Sequence, residues 1–508
     1  MDESGESVTN NERLLAMSDK EQGIYTHILK YIGVFGGVQG LSIIIGVLRN
    51  KLVAVLLGPA GMGLVSLFNT MLNFISQATS FGISFSAIRT MSELYDAGKP
   101  EELNNYVKVV RSWTLFTALL GILTCLVLSQ LLNHLIFDNE DHLYDILMLS
   151  PVVGMTAITG GEMAILKAIR QLRQMALVQL LAVLSMLLFS VPLFYYFGFR
   201  GIIPVFLFTS LANMLITLRC SCRLFPLAWK SNFFGEGMSM VKLGIAFTLA
   251  GIMGSAAEMI VRSYLNVCGG SDVVGLYNAA YMLCITYAGV VFSAMETDYF
   301  PRLSGVNHHV ADVNKMVNQQ IEVALLLVSP MLCTLIIALP LLVPLLYADT
   351  FLPLISMAQI ALLAMYMRAI TLSVSYVMLA KGDSIAYLSM ESVYDLLLVL
   401  FVLFFYQRLG FVGTGVALVV LYFVDMLLLL LFTRYRYHIR LSKQVFLTLL
   451  MQLPIGVAAY IVARSFSDYA YWLSGILLAL LSLTLTLITL HRKTKLWNAL
   501  KSKFLRHG

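Results

Sequence analysis

The sequence predicts an all-α polytopic membrane protein with about 14 transmembrane helices. Of its 508 residues, 59% are hydrophobic and only 12% are charged, and the mean hydropathy is +0.83. Soluble domains carry about 25% charged residues, so this composition excludes a soluble globular protein. The apolar runs are long and continuous, without the polar and apolar alternation of membrane β-barrel strands, and therefore predict helices.

Each predicted span is an apolar run that ends at polar or helix-breaking residues. The approximate spans are residues 26–57, 62–90, 103–136, 142–169, 171–198, 201–226, 238–266, 272–301, 315–347, 353–381, 384–407, 411–433, 444–464 and 470–490. Because only short connections remain between the spans, we expect no separate catalytic domain and place the function among the helices.

The distribution of basic residues predicts the orientation in the membrane. Basic groups lie at alternate connections, for example at Lys167, Arg219 and Arg434, whereas residues 133–145 contain neither Lys nor Arg. Cytoplasmic loops carry the excess of Lys and Arg, so both termini are expected in the cytoplasm, which requires an even number of spans.

Charge and cysteine content narrow the class further. The net charge of +6 fits cytoplasmic loops that face anionic lipid, and we expect no nucleic-acid partner. The six cysteines lie mostly in apolar runs without metal-ligand spacing, so neither a metal nor a cofactor is expected. Residues 1–25 form a polar cytoplasmic tail and residues 491–508 a basic one.

The chain repeats itself at one constant shift along the sequence. The paired positions are Gly58 with Gly270, Gly63 with Gly275, and Gly198 with Gly410, and each pair has the same separation. The shift predicts two six-helix lobes, residues 26–226 and 227–433, followed by two further helices at residues 434–490. Because each lobe contains an even number of spans, the lobes are parallel and face each other across a central cleft.

Several cations lie inside the predicted spans. Arg49 and Lys51 belong to the first span, Arg262 to the seventh and Arg368 to the tenth. A charge at the centre of a span costs about 2.5–3.5 kcal/mol and needs a partner, water or a function. Together these residues predict a cationic cavity for phosphate or pyrophosphate. The alternative is that they reach the interface or pair with acids, as Arg262 can with Glu258 one helical turn away.

Acidic residues also occur within the spans, namely Glu258, Glu391, Asp395 and Asp425. They can pair with the cations, line water, or couple transport to a proton or sodium ion.

The second span carries a polar stripe of Asn69, Asn73, Ser76 and Gln77. The spacing of three to four residues places them along one helix face. Such a face suits hydrogen bonding to a glycan or to cavity water, and it equally suits contact between helices.

Three segments resemble a known family. They are KLVAVLLGPAGMGLVSLFN from Lys51 to Asn69, VGLYNAAYMLCITYAGVVFSAMETDYFPRLSGV from Val274 to Val306, and VMLAKGDSIAYLSMESV from Val377 to Val393. They are similar to Wzx-type polysaccharide flippases of the multidrug/oligosaccharidyl-lipid/polysaccharide exporter superfamily. The resemblance covers residues 26–433 and extends more weakly to the last two helices.

The resemblance implies fourteen helices whose two lobes form a V around a central cavity. It implies a transporter and not an enzyme, which moves an undecaprenyl-pyrophosphate-linked oligosaccharide from the cytoplasmic to the periplasmic leaflet of the bacterial inner membrane by alternating access. O-antigen and capsule repeat units are substrates of this type. Lys51, Arg262 and Arg368 would hold the pyrophosphate. A polysaccharide polymerase and a chain-length regulator, as well as membrane lipids, are the implied partners.

Two other functions compete with this interpretation. A multidrug or cation exporter of the same fold would use the intramembrane acids. A membrane-bound polysaccharide polymerase would need a larger extramembrane loop or a paired acidic site, and the exoplasmic connections are short.

Overall fold

The computed structural model describes residues 41–42, 44–137, 141–230, 233–287, 289, 292, 299–300 and 302–493. Both predicted tails lie outside these ranges apart from residues 491–493. The described helices are α1 (Ile44–Thr79), α2 (Ile83–Asp96), α3 (Pro100–Phe137), α4 (Leu143–Ala168), α5 (Leu172–Phe197), α6 (Ile202–Cys222), α7 (Phe234–Tyr281), α8 (Val310–Leu346), α9 (Leu354–Ala380), α10 (Ser384–Leu409), α11 (Phe411–Tyr437), α12 (Lys443–Ser465) and α13 (Asp468–Lys493).

The predicted all-helical, multi-pass membrane fold is confirmed. Ten segments of the described chain are long and apolar enough to cross a membrane. Two of them, Ile44–Thr79 and Leu172–Cys222, contain a glycine at which two predicted spans join, so the ten segments account for twelve predicted spans. The other two, at 238–266 and 272–301, correspond to α7 and to residues that are only partly described.

The prediction of one continuous span over residues 62–90 is wrong. Helix α1 ends at Thr79, and α2 begins as a separate helix at Ile83. Phe81 and Gly82 between them have positive φ angles of 48° and 64°. Such φ values interrupt a right-handed helix. Hydropathy alone did not reveal the break because it reports side-chain polarity and not backbone conformation.

Left-handed glycines occur at the paired positions of the internal repeat. Gly58 and Gly270 have φ angles of 64° and 77°, and Gly198 and Gly410 have 55° and 60°. Only glycine adopts these angles without the cost of a Cβ clash. Each pair therefore marks the same abrupt change of direction between two apolar helices, once in each copy of the repeat.

A second glycine follows three residues after Gly198 and after Gly410. A Cβ on Gly201 would lie 2.5 Å from the carbonyl oxygen of Leu193, and a Cβ on Gly413 would lie 2.0 Å from that of Phe405. The same shift along the sequence relates the two contacted carbonyls. Each turn therefore needs two glycines. The first adopts a positive φ angle, and the second allows close approach to a backbone carbonyl.

The described chain divides into two compact units. Of the described residues, unit 1 contains those within 41–52, 79–127 and 145–245, and unit 2 contains those within 53–78, 128–144 and 246–493. The predicted lobes at 26–226 and 227–433 remain a prediction.

Unit 1 is held at one end by a buried ion pair. Arg111 on α3 donates from Nε and Nη2 to the two carboxylate oxygens of Glu162 on α4, at 2.8 and 3.0 Å. The side chains are 2% and 3% exposed. Arg111 also donates to the carbonyl oxygens of Phe225 and Pro226. One guanidinium therefore fixes α4 and the segment that leaves α6.

Unit 2 is built around α9, which packs against α8, α11 and α12. Two asparagines on α8 fix the connection between α11 and α12. Asn314 donates to the His438 carbonyl and accepts from the Arg440 amide, and Asn318 donates to the Arg440 carbonyl and accepts from the Ser442 amide. Both asparagines thereby satisfy backbone groups that a chain turn leaves unpaired.

Within unit 2, α1 and α7 meet backbone to backbone at two glycines. A Cβ on Gly63 would lie 1.8 Å from the Ser271 carbonyl oxygen, and a Cβ on Gly275 would lie 1.9 Å from the Pro59 carbonyl oxygen. The repeat relates Pro59 to Ser271 and Gly63 to Gly275. The two contacts are therefore equivalent under the repeat, as in an isologous interface between two subunits.

We predict that Gly63→Ala lowers the thermal unfolding midpoint of the detergent-solubilised protein. A methyl group there must displace backbone atoms, and overpacking of this kind costs about 1–3 kcal/mol. The matched control is Gly46→Ala on the same helix, where a Cβ meets no atom of the described part of the chain within 4 Å. Equal midpoints for the two variants would show that the contact is not formed in the folded protein.

Candidate functional site

Two of the predicted cations belong to unit 1. Arg49 and Lys51 are half-buried on α1. Arg49 Nη1 donates to Asn50 Oδ1 at 3.2 Å, whereas its buried Nε has no hydrogen-bond partner among the described residues. A guanidinium with an unused buried donor retains capacity for an anionic oxygen.

The polar stripe of α1 belongs to unit 2 and has an open face. Asn69, Asn73 and Gln77 are exposed, and Ser76 is half-buried. A polar face exposed to lipid at this depth would be costly, whereas the same face is stable beside water. The exposure favours a hydrated cavity over contact between helices at Asn69 and Asn73. Gln77 lies against α7, since a Cβ on Gly251 would be 3.0 Å from its Oε1.

Arg262 of unit 2 donates hydrogen bonds to side chains on its own helix and on α1. It is 7% exposed, and Nη1 donates to Glu258 Oε2 at 3.1 Å. Nε donates to the hydroxyl of Ser66 on α1 at 3.0 Å, and the guanidinium lies 5.9 Å from the centre of the Tyr281 ring. Arg262 therefore links α7 to α1, and Glu258 balances its charge.

The fourth cation, Arg368 on α9, lines a cavity of about 250 Å³ inside unit 2. The carboxylates of Glu391 on α10 and Asp425 on α11 line the same cavity. Arg368 Nη1 donates to the Ile285 carbonyl at 3.4 Å, and its guanidinium lies 6.0 Å from the centre of the Phe292 ring. The cavity thus combines one cation with two carboxylates.

Asp395 is half-buried one turn beyond Glu391 on α10. A Cβ on Gly254 of α7 would lie 3.6 Å from its carboxylate. The structure therefore places Asp395 beside α7, while Glu391 and Asp425 face the cavity. Within the described residues, no group of three or more His, Cys, Asp or Glu side chains is placed to hold a metal ion.

Three tyrosines that the sequence analysis did not single out also line this cavity: Tyr281, Tyr394 and Tyr422. The Tyr394 hydroxyl donates to the Tyr422 hydroxyl at 3.1 Å. A signal for two of them was available in the sequence. Tyr394 follows Glu391 by three residues and Tyr422 precedes Asp425 by three, which is the spacing of one helix face.

The fold matches solved transporters of the MOP superfamily. An inward-facing multidrug resistance MATE family transporter superimposes with a TM-score of 0.65 at 15% identity, over 78% of this chain and 94% of that one. The lipid II flippase MurJ in an inward closed conformation gives 0.63 at 16% identity, over 90% and 99%. A MOP superfamily transporter from Pyrococcus furiosus gives 0.56 at 16% identity, over 80% and 94%.

These similarities define the class of fold as that of a MOP superfamily transporter. A family model described as "Polysaccharide biosynthesis protein" matches residues 52–356, and the chain belongs to this family. The resemblance inferred from the sequence is therefore confirmed. No curated protein matches the chain in sequence.

We predict that Arg262→Gln lowers the thermal unfolding midpoint more than Glu258→Gln does. The first variant loses a charged hydrogen bond to Ser66 as well as the ion pair, at a cost of about 1.5–3 kcal/mol. In Glu258→Gln the Ser66 bond stays intact, and the amide oxygen of Gln can still accept from Arg262 Nη1. Midpoints in the reverse order would contradict the linking role of Arg262.

Proposed function

We propose that this protein is a flippase for a lipid-linked glycan. It moves an undecaprenyl-pyrophosphate-linked oligosaccharide, the repeat unit of O-antigen, capsule or a related surface polysaccharide, from the cytoplasmic to the periplasmic leaflet by alternating access. The observation that carries the proposal is membership of the polysaccharide biosynthesis family over residues 52–356 in a chain with a transporter fold. Similarity to a solved lipid II flippase supports the lipid-linked character of the substrate.

Arg49 and Lys51 are the proposed contacts for the pyrophosphate. The buried Nε of Arg49, which has no hydrogen-bond partner among the described residues, supports this role because guanidinium donors bind phosphate oxygens strongly. Arg262 and Arg368 remain candidates, but less of their positive charge is available to the pyrophosphate. Glu258 neutralises the charge of Arg262, and Arg368 shares its cavity with two carboxylates. The exposed amides of Asn69, Asn73 and Gln77 suit a hydrated glycan.

The proposed setting is the bacterial inner membrane, with both termini in the cytoplasm and two parallel lobes that rock about the substrate. A polysaccharide polymerase and a chain-length regulator would use the product on the periplasmic side. The proposed protein is a transporter and not an enzyme, because flipping a lipid between leaflets makes and breaks no covalent bond.

Export of drugs or organic cations is the second candidate. Glu391 and Asp425 in one cavity favour it, because buried carboxylates attract cationic ligands. Asp395 would contribute to the same attraction beside α7.

The test is transbilayer movement of an undecaprenyl-pyrophosphate oligosaccharide in proteoliposomes, read by lectin accessibility. We expect wild type to move it and Lys51→Gln and Arg49→Gln to do so about tenfold more slowly, the loss expected for one charged hydrogen bond. Arg89→Gln is the matched control, because Arg89 pairs with Glu93 in an exposed position. If wild type fails to move the lipid but extrudes a cationic dye from the same vesicles, the flippase proposal is wrong and the protein is an exporter of organic cations.

Orientation is tested by cysteine labelling in a Cys268→Ser background, since Cys268 is an exposed free thiol. We expect Asp141→Cys to react with an impermeant maleimide in intact cells and Arg440→Cys to react only after lysis. The opposite pattern would place both termini outside.

A further inference from the structure

The cavity between α9, α10 and α11 in unit 2 has the size of one small ligand. Its volume is about 250 Å³. A single water needs about 10–15 Å³ on such a measure, and drug-sized ligands occupy pockets of about 300–1,000 Å³. The space therefore suits one sugar ring and is too small for an oligosaccharide.

The lining contains a carboxylate on a residue that is mostly buried. Asp425 is 8% exposed and lines the cavity. A ligand that supplies N–H or O–H groups would form charge-assisted hydrogen bonds with this carboxylate, and such bonds are stronger than neutral ones. Glu391 on the facing helix presents a second carboxylate to the same space.

The other lining groups suit a sugar better than a metal ion. Arg368 places N–H donors in the cavity that a metal ion cannot use, and no three His, Cys, Asp or Glu side chains of the described residues are grouped to hold a metal. Tyr281, Tyr394 and Tyr422 offer hydroxyls and aromatic faces. Thr371 and Ser375 donate to backbone carbonyls of their own helix, which leaves their oxygens as acceptors.

The charge balance of the cavity predicts which sugar enters. Two carboxylates oppose one guanidinium, so a ligand carboxylate would meet net repulsion in a poorly hydrated space. Hydroxyl or ammonium groups on the ligand would instead donate to Asp425 and Glu391.

We propose that this cavity binds a single sugar residue of the transported glycan, and that it selects a neutral or amino sugar over an acidic one. The proposal rests on the proposed flippase function and identifies the substrate class at one position of the glycan. Asp425 and Glu391 are the selecting residues.

Binding is tested separately from transport. Saturation-transfer NMR is recorded with the full-length protein in lipid nanodiscs and with the methyl glycosides of glucose, glucosamine and glucuronic acid. We expect glucose and glucosamine to bind about tenfold more tightly than glucuronic acid, and Asp425→Asn and Glu391→Gln to remove most of this preference. Asp349→Asn, an exposed acid outside the cavity, is the matched control and keeps the preference.

Transport supplies the second arm of the test. Undecaprenyl-pyrophosphate disaccharides that differ only in a terminal glucose or glucuronic acid are compared in proteoliposomes, and we expect wild type to move the neutral one about tenfold faster. Equal binding of all three glycosides, or unchanged selectivity in Asp425→Asn, would overturn the sugar site.

Two results distinguish the sugar site from an ion-coupling site and from failure of the flippase function. If Asp425→Asn stops movement of both disaccharides alike and abolishes a sodium or proton dependence while glycoside binding is unchanged, the carboxylate couples an ion and the sugar site is wrong. If selective glycoside binding is found but wild type moves neither lipid, the flippase function fails and the cavity remains a sugar site of another transporter.

Discussion

Charges that lie within a membrane protein must be neutralised or hydrated where they stand, and this constraint organises both units. Arg111 meets Glu162 in a pair with almost no exposure, and the same guanidinium holds two backbone carbonyls after α6. Loss of one partner from such a buried pair typically costs about 3–5 kcal/mol, because the other charge stays behind. The ion pair therefore stabilises the packing of α3 against α4.

The charge of Arg262 is also neutralised by a nearby carboxylate, but this pair is partly exposed. Its partner Glu258 is 43% exposed, so the pair sits at the edge of an open space rather than within a closed core. The remaining donor reaches Ser66 on α1. A residue expected to hold substrate thus also joins two helices, and effects of its substitution on transport and on folding must be measured separately.

Periodicity and spacing predicted the parts of the structure that are local or repeated. The ion pair of Glu258 and Arg262 follows from a four-residue separation on one helix. The turns at Gly58, Gly198, Gly270 and Gly410 follow from the constant shift of the internal repeat, because equivalent turns need the same φ. The second span was mistaken for one helix because Phe81, a large apolar residue, adopts a positive φ that no hydropathy pattern encodes.

Contacts between distant parts of the chain could not be predicted in this way. Glu162 lies 51 residues after Arg111, and nothing in either local sequence indicates the other. The cavity around Asp425 combines residues from four helices, α7, α9, α10 and α11. The sequence indicated the acids and Arg368 but not the three tyrosines. Tyrosine suits lipid interfaces, packing and ligand contact equally well, so only the fold decides among these roles.

The glycine contact between α1 and α7 also has a consequence for biosynthesis, because Gly63 and Ser271 lie far apart in the sequence. Ser271 is synthesised about 200 residues after Gly63, which takes about 10–40 s at a rate of about 5–20 residues per second. Helix α1 therefore enters the bilayer well before the segment against which its glycine packs. During that interval the backbone of α1 at Gly63 has no partner helix, so this contact forms only after the second half of the chain has been inserted.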